Sequence, residues 1–212
     1  MLTQWQEGRL KEFCEFYGWP EVDTRVLFEH SREFFEGVWR GMNPKTRKEE
    51  ETYYNGPWLT LRQMSYDEPV AMPNSIKTFI DKLPLDAVLL DFGCGVGDTL
   101  IHAFKKKICS YGIEMPGKLP FLEFRRNKIN GWWKLSDTLP EHIKFSNAIC
   151  ASSLDHVPNP IEIAEKVCSM VSGEIFATPC IDETYNRPTH EKYILKQVPA
   201  AFNVIKEHNA HI

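Results

Sequence analysis

Cysteine is scarce and unpatterned: six in 212 residues, at positions 14, 94, 109, 150, 168 and 180, with no pair at C-x-x-C spacing. That excludes a zinc ribbon or a vicinal redox pair, leaves reduced core thiols, and predicts no metal. A basic excess is missing as well. The 25 Lys+Arg against 29 Asp+Glu give a formal charge of −4, which cannot neutralise a phosphate backbone, so no nucleic-acid partner is expected. No apolar run reaches the roughly 18 residues a bilayer span needs. Met1 to Glu7 has neither the basic start nor the apolar stretch of a secretory signal. These absences predict a cytoplasmic protein with no membrane partner. Repeats and low-complexity tracts are absent too. What remains is a globular composition, 42% hydrophobic and 25% charged, long enough for one buried core and a modest appendage.

Aromatic residues are unevenly spread, with half of the 26 in the first 66 positions. Residues 4–18 and 24–41 carry apolar side chains at three- and four-residue steps, such as Leu10, Phe13, Phe16 and Tyr17 in the first and Val26, Leu27, Phe34, Phe35 and Val38 in the second. This period predicts two helices, stopped by Gly18 and Gly41. A third, charged helix is expected from Asn43-Pro44 to about Tyr54, broken by Asn55-Gly56-Pro57. From about residue 73 short apolar runs rich in strand formers alternate with helical patterns, the punctuation of a parallel α/β sheet. Strands are expected at 87–92, 108–114, 132–135, 147–152, 173–178 and 202–206. Helices are expected at 73–83, 98–106, 119–129, 160–171 and 190–198. The chain thus divides into a helical cap or lid over 1–66 and a three-layer α/β domain over 67–212.

Asp91-Phe-Gly93-Cys-Gly95-Val-Gly97-Asp98 follows the first strand and opens a helix, the context in which glycines let a ligand approach the backbone. The spacing is G-x-G-x-G with an acid two residues ahead, rather than the G-x-G-x-x-G of a pyrophosphate site. That acid would repel a diphosphate and attract a cation.

Here the sequence resembles the class I S-adenosylmethionine-dependent methyltransferases, in a small bacterial-type form. Four further segments resemble that superfamily: Glu114 after the second strand, Ser136-Asp137-Thr-Leu-Pro140, Ser152-Ser-Leu-Asp-His156-Val-Pro-Asn-Pro160, and Ser172-Gly173 before the fifth strand. The resemblance covers about 72–202. It implies a Rossmann-like methyltransferase sheet, S-adenosylmethionine as cofactor, and methyl transfer to a small-molecule acceptor through O or N. It also implies cofactor contacts at Asp91, Gly93, Cys94, Gly95, Gly97, Glu114, Met115, Ser136, Asp137 and Ser152, with the ribose on Glu114. Family members usually close the sheet with a sixth and seventh strand, so a shortened C-terminal edge is expected here, suited to a second copy or a partner subunit.

His156 is the candidate general base, because an imidazole can accept a proton near neutrality. A structural histidine in a pocket wall is the alternative, since positioning alone can drive in-line methyl transfer. Tyr53, Tyr54 and Trp58, with His156, are the candidate acceptor contacts, unless those aromatic residues anchor the cap's own core. Asp155 reads as a capping acid, Arg125-Arg126 and Lys105 to Lys107 as solvated helix faces, and His208-x-x-His211 as a solvated tail. Two rival functions stay open: a non-catalytic methyltransferase-like partner or regulatory subunit, and a nicotinamide-dependent oxidoreductase.

Overall fold

The computed structural model describes residues 1–179 and 188–210, with side chains described outside 188–196. Its first helix, α1 (Gln4–Tyr17), starts on a capping box in which Thr3 accepts from the Gln6 backbone and ends on Gly18 in the left-handed region. The single helix expected over 24–41 is two, α2 (Glu21–Glu29) and α3 (Ser31–Met42). The chain breaks at His30, which lets Thr24 and Phe28 face the core from one helix and Ser31 and Phe35 from the next. Helix α4 (Arg47–Tyr54) begins at a Thr46–Glu49 capping box, three residues later than Asn43-Pro44 suggests. Pro57, expected as a breaker, is the first residue of another helix, α5 (Pro57–Met64), a position where its missing N–H costs nothing. A short α6 (Glu68–Ala71) and α7 (Asn74–Asp81) lead into the sheet.

The remaining elements alternate as expected: β1 (Val88–Phe92), α8 (Asp98–Lys105), β2 (Cys109–Ile113), α9 (Leu119–Lys128), β3 (Lys134–Ser136), β4 (Asn147–Ala151), α10 (Pro160–Met170), β5 (Ile175–Thr178) and α11 (Pro188–Asn209). The five strands form one parallel sheet in the order β3-β2-β1-β4-β5. Strand alternation divides its core. Leu90, Ala148 and Cys150 pack with Ala164 and Val167 of α10 and Ala201 and Ile205 of α11. Leu89 and Ile149 point the other way, onto Ile76 and Ile80 of α7 and Ala103 of α8. The last strand expected over 202–206 is instead part of α11. Its buried residues Val198, Ala201 and Ile205 recur at helical steps, and a strand would have put alternate residues on one face.

The cap docks through Leu10, Phe13, Phe28, Leu61 and Met64, which pack with Val96 of the glycine loop and Phe121 of α9. Among the described residues no helix is long and apolar enough to cross a membrane.

Candidate functional site at the carboxyl ends of the strands

The sheet reverses direction of growth between β1 and β4, and open α/β sheets bind ligands at such a switch point, outside the carboxyl ends of the strands. A cleft of about 680 Å³ lies there. Its floor is Phe92, Gly93, Ile113, Glu114, Ser152 and Ser153, and Tyr54, Leu59 and Gln63 of the cap face them.

The glycines are required by geometry. Gly93, Gly95 and Gly97 have φ of +76°, +59° and +84°, and a Cβ on Gly93 would lie 2.4 Å from that of Ser153. Gly97 then caps α8. Below the loop Asp91 is 3% exposed. Burial, then the nearby Glu114 and Asp98 carboxylates, push its pKa up to about 8, and its Oδ2 has no hydrogen-bond partner among the described residues. The Cys94 side chain turns away into a core of Leu100, Leu122 and Trp133.

Glu114 stands at the end of β2, across from the loop. Its two oxygens accept the backbone N–H groups of Gly95 (2.6 Å) and Met115 (2.9 Å), and Lys118 Nζ lies 3.7 Å away. Met115, Asp137 and Ser152 line the same cleft. Ser136 ends β3, where its carbonyl accepts from Glu114 N–H (3.1 Å) and its hydroxyl from Thr138 N–H (3.1 Å).

On the opposite wall His156 and Tyr54 come together, with ring centroids 5.7 Å apart. His156 Nε2 is 3.6 Å from Asp155 Oδ2, and the Asp155 side chain is 8% exposed. Burial holds the imidazole pKa below its ordinary value, against the opposing pull of Asp155. Tyr53 and Trp58 are placed elsewhere. The Tyr53 hydroxyl donates to Phe35 O (3.0 Å) and Trp58 Nε1 to Tyr53 O (2.6 Å), in the cap's own core with Phe35.

Several residues that shape the cleft have no sequence motif. Arg47 reaches from α4 to the His156 carbonyl (3.3 Å), and Asn55 accepts from Gly117 N–H (2.7 Å) just after Glu114. Arg125, expected on a solvated face, is 6% exposed and paired with Asp98 (3.0 Å) and Glu12 (3.2 Å). Arg9 completes the cluster at 2.6 Å from Asp98. Burial raises the Asp98 carboxyl, but the two guanidinium groups outweigh it and hold the pKa below the usual carboxylate range. The His208 ring meets the Gly173 carbonyl (3.0 Å), and His211 lies outside the described residues. Among the described residues no His, Cys, Asp or Glu cluster suits a metal ion.

S-adenosylmethionine fits this donor set: Glu114 with two oxygens for a diol, a buried Asp91 carboxyl whose Oδ2 has no hydrogen-bond partner among the described residues, and a backbone cradle that a Cβ on Gly93 would fill. Comparison with solved structures gives the (4+2)-cyclase SpnF at 17% identity and TM-score 0.48, over 60% of this chain and 55% of that one. A magnesium protoporphyrin IX methyltransferase from Synechocystis, solved with S-adenosylmethionine bound, matches at 14% identity and TM-score 0.47, over 82% and 84%. A methyltransferase from Clostridium acetobutylicum matches at 17% and TM-score 0.40, over 46% and 43%. The chain thus spans about half the length of the first and third of these. No curated protein matches it. A family profile described as a methyltransferase domain matches residues 64–197, well over half the sequence. The chain therefore belongs to the methyltransferase-domain family that this profile describes.

Proposed function

We propose that the protein transfers a methyl group from S-adenosylmethionine to the oxygen or nitrogen of a small molecule. The observation that carries this reading is a cleft lined at once by Gly93, Glu114, Tyr54 and His156. When bound, the cofactor supplies an electrophilic methyl on a sulfonium. Glu114 offers its oxygens to the ribose diol once they leave Gly95 and Met115, Asp137 faces the adenine side, and Asp91 takes the α-ammonium. Ser152, with φ of +50°, turns the chain after β4 so that Ser153 and His156 close the far end.

A cleft of about 680 Å³ that must hold cofactor and acceptor together favours a small acceptor. Positioning supplies much of the rate in an in-line displacement. His156 adds an imidazole that can take the acceptor's proton, and Asp155 stabilises the imidazolium so formed. Tyr54 and Leu59 exclude water from the acceptor side.

Calorimetry with S-adenosylhomocysteine and NAD tests the cofactor assignment. The expected result is homocysteine-form binding, weakened by about 1–3 kcal/mol in Glu114→Ala, the scale of hydrogen bonds to a charged group, and no response to NAD. Binding without turnover on any amine or hydroxyl acceptor would instead favour the partner-subunit reading, and unchanged affinity in Glu114→Ala would overturn the ribose assignment.

A further inference from the structure

Cap and cofactor loop meet at one side chain. The atoms nearest to a Cβ built on Gly95 all belong to Gln63 of α5: Nε2 at 3.2 Å, and Cδ and Oε1 at 3.5 Å. Its Oε1 accepts a hydrogen bond from Lys118 Nζ (3.1 Å), and Lys118 is itself 3% exposed. That bond fixes which end of the amide is which. The Nε2 hydrogens are left facing the glycine loop, and among the described residues no acceptor takes them.

The backbone of Gln63 is fixed from behind by Arg9. Its Nη2 and Nε donate to the carbonyls of Gln63 and Met64, both at 2.8 Å. Its Nη1 meets Asp98, the first residue of the helix that follows the glycine loop. Arg9 is 3% exposed. One buried guanidinium, planar and forked, therefore ties the last turn of α5 to the first turn of α8.

A neutral donor oriented by a buried cation, beside the glycine loop, suits an anion. S-adenosylmethionine carries a single anionic group, the carboxylate of its amino-acid tail, while Glu114 and Asp91 suit its hydroxyl and ammonium groups. Resting on the function proposed above, we infer that Gln63 Nε2 donates to the cofactor's α-carboxylate and that Arg9 is the positioning residue that sets Gln63 at that distance. The cap then belongs to the cofactor site itself as well as covering the acceptor.

The test compares two ligands by calorimetry. S-adenosylhomocysteine has the amino-acid tail; 5′-methylthioadenosine keeps adenine, ribose and sulfur without it. Gln63→Ala should weaken S-adenosylhomocysteine binding by roughly 10-fold or more, leave methylthioadenosine within about twofold, and leave the melting temperature within about 2 °C. Arg9→Lys, which keeps the charge facing Asp98 but cannot make all three contacts, should shift the ratio of the two affinities the same way. Equal losses for both ligands, or no loss in Gln63→Ala, would overturn the Gln63 assignment. An Arg9→Lys protein with lowered melting temperature and an unchanged ratio would remove the positioning role. Wild-type protein that binds neither ligand would sink the cofactor reading itself, a result separate from either failure.

Discussion

Asp91→Asn separates the charge of this buried group from its shape. In the folded chain the carboxyl titrates near 8, against an ordinary value of 3.8, so the fold favours the protonated form. A raised carboxyl contributes stability that is fully present below about pH 4 and is lost as pH climbs toward 8. Between 3.8 and 7 the unfolded chain ionises freely while the folded one resists. At 1.36 kcal/mol per unit that interval destabilises the ligand-free protein by about 4 kcal/mol at pH 7. Asparagine has nearly the same shape and no ionisation. Urea unfolding of both proteins at pH 4, 5.5, 7 and 8 should show Asp91→Asn increasingly more stable as pH rises, with the gap nearly closed at pH 4. All other titrating groups are shared, so the difference isolates position 91. The same variant should bind S-adenosylhomocysteine more weakly, since its ammonium loses an anion. Wild-type binding at pH 7 should also release close to one proton, measurable by calorimetry in two buffers of different ionisation enthalpy. A gap of constant size at every pH, or a wild type that is the more stable at pH 7, would refute the reasoning.

Gly93→Ala should lower stability by roughly 2–4 kcal/mol, combining left-handed strain with the close approach to Ser153. In contrast Gly37→Ala in α3, where a Cβ meets nothing within 4 Å, should raise it by about 0.4–1 kcal/mol; chemical denaturation of the pair measures both. His156→Ala should reduce the methyl-transfer step by roughly 10²–10⁴-fold with little change in cofactor affinity. It should also abolish an acid limb that, because burial lowers this imidazole, falls below pH 6.5 in the wild type; pH–rate profiles of both proteins check this.

The second half of the fold was legible because strand and helix periods, glycine punctuation and β-branched runs agree there, from Val88 to Thr178. The glycine loop and Glu114 were legible for the same reason: their meaning lies in spacing along the chain. The cap was harder. Pro57 carries the same residue type whether it ends one helix or starts the next, and His30 breaks a pattern whose apolar spacing continues across it. Residues 202–206 look strand-like in composition, yet they lie in a helix packed on α10. The contacts of Gln63, Arg9 and Arg125 were illegible because each is held by a partner far away in sequence. Nothing near Arg125 in the sequence says that Asp98 and Glu12 will bury it. Likewise Tyr53 and Tyr54 are neighbours of one type that share the cap's core, and only the turn of α4 lets Tyr54 also reach the cleft.

The contact between Arg9 and Asp98 joins residues 89 positions apart, and this has a consequence for how the chain is made. The cap leaves the ribosome before the sheet, with Leu10, Phe13 and Phe28 ready to pack. Their partners Val96 and Phe121 follow much later in the chain. Until then the helices have apolar faces without their final cover and a cationic side chain without its counter-charge. A long loop must close before either is satisfied, which slows the last step of folding relative to local helix formation. The nascent cap therefore lacks its final apolar cover for an interval that ends only when the glycine loop has been translated and α9 has followed it.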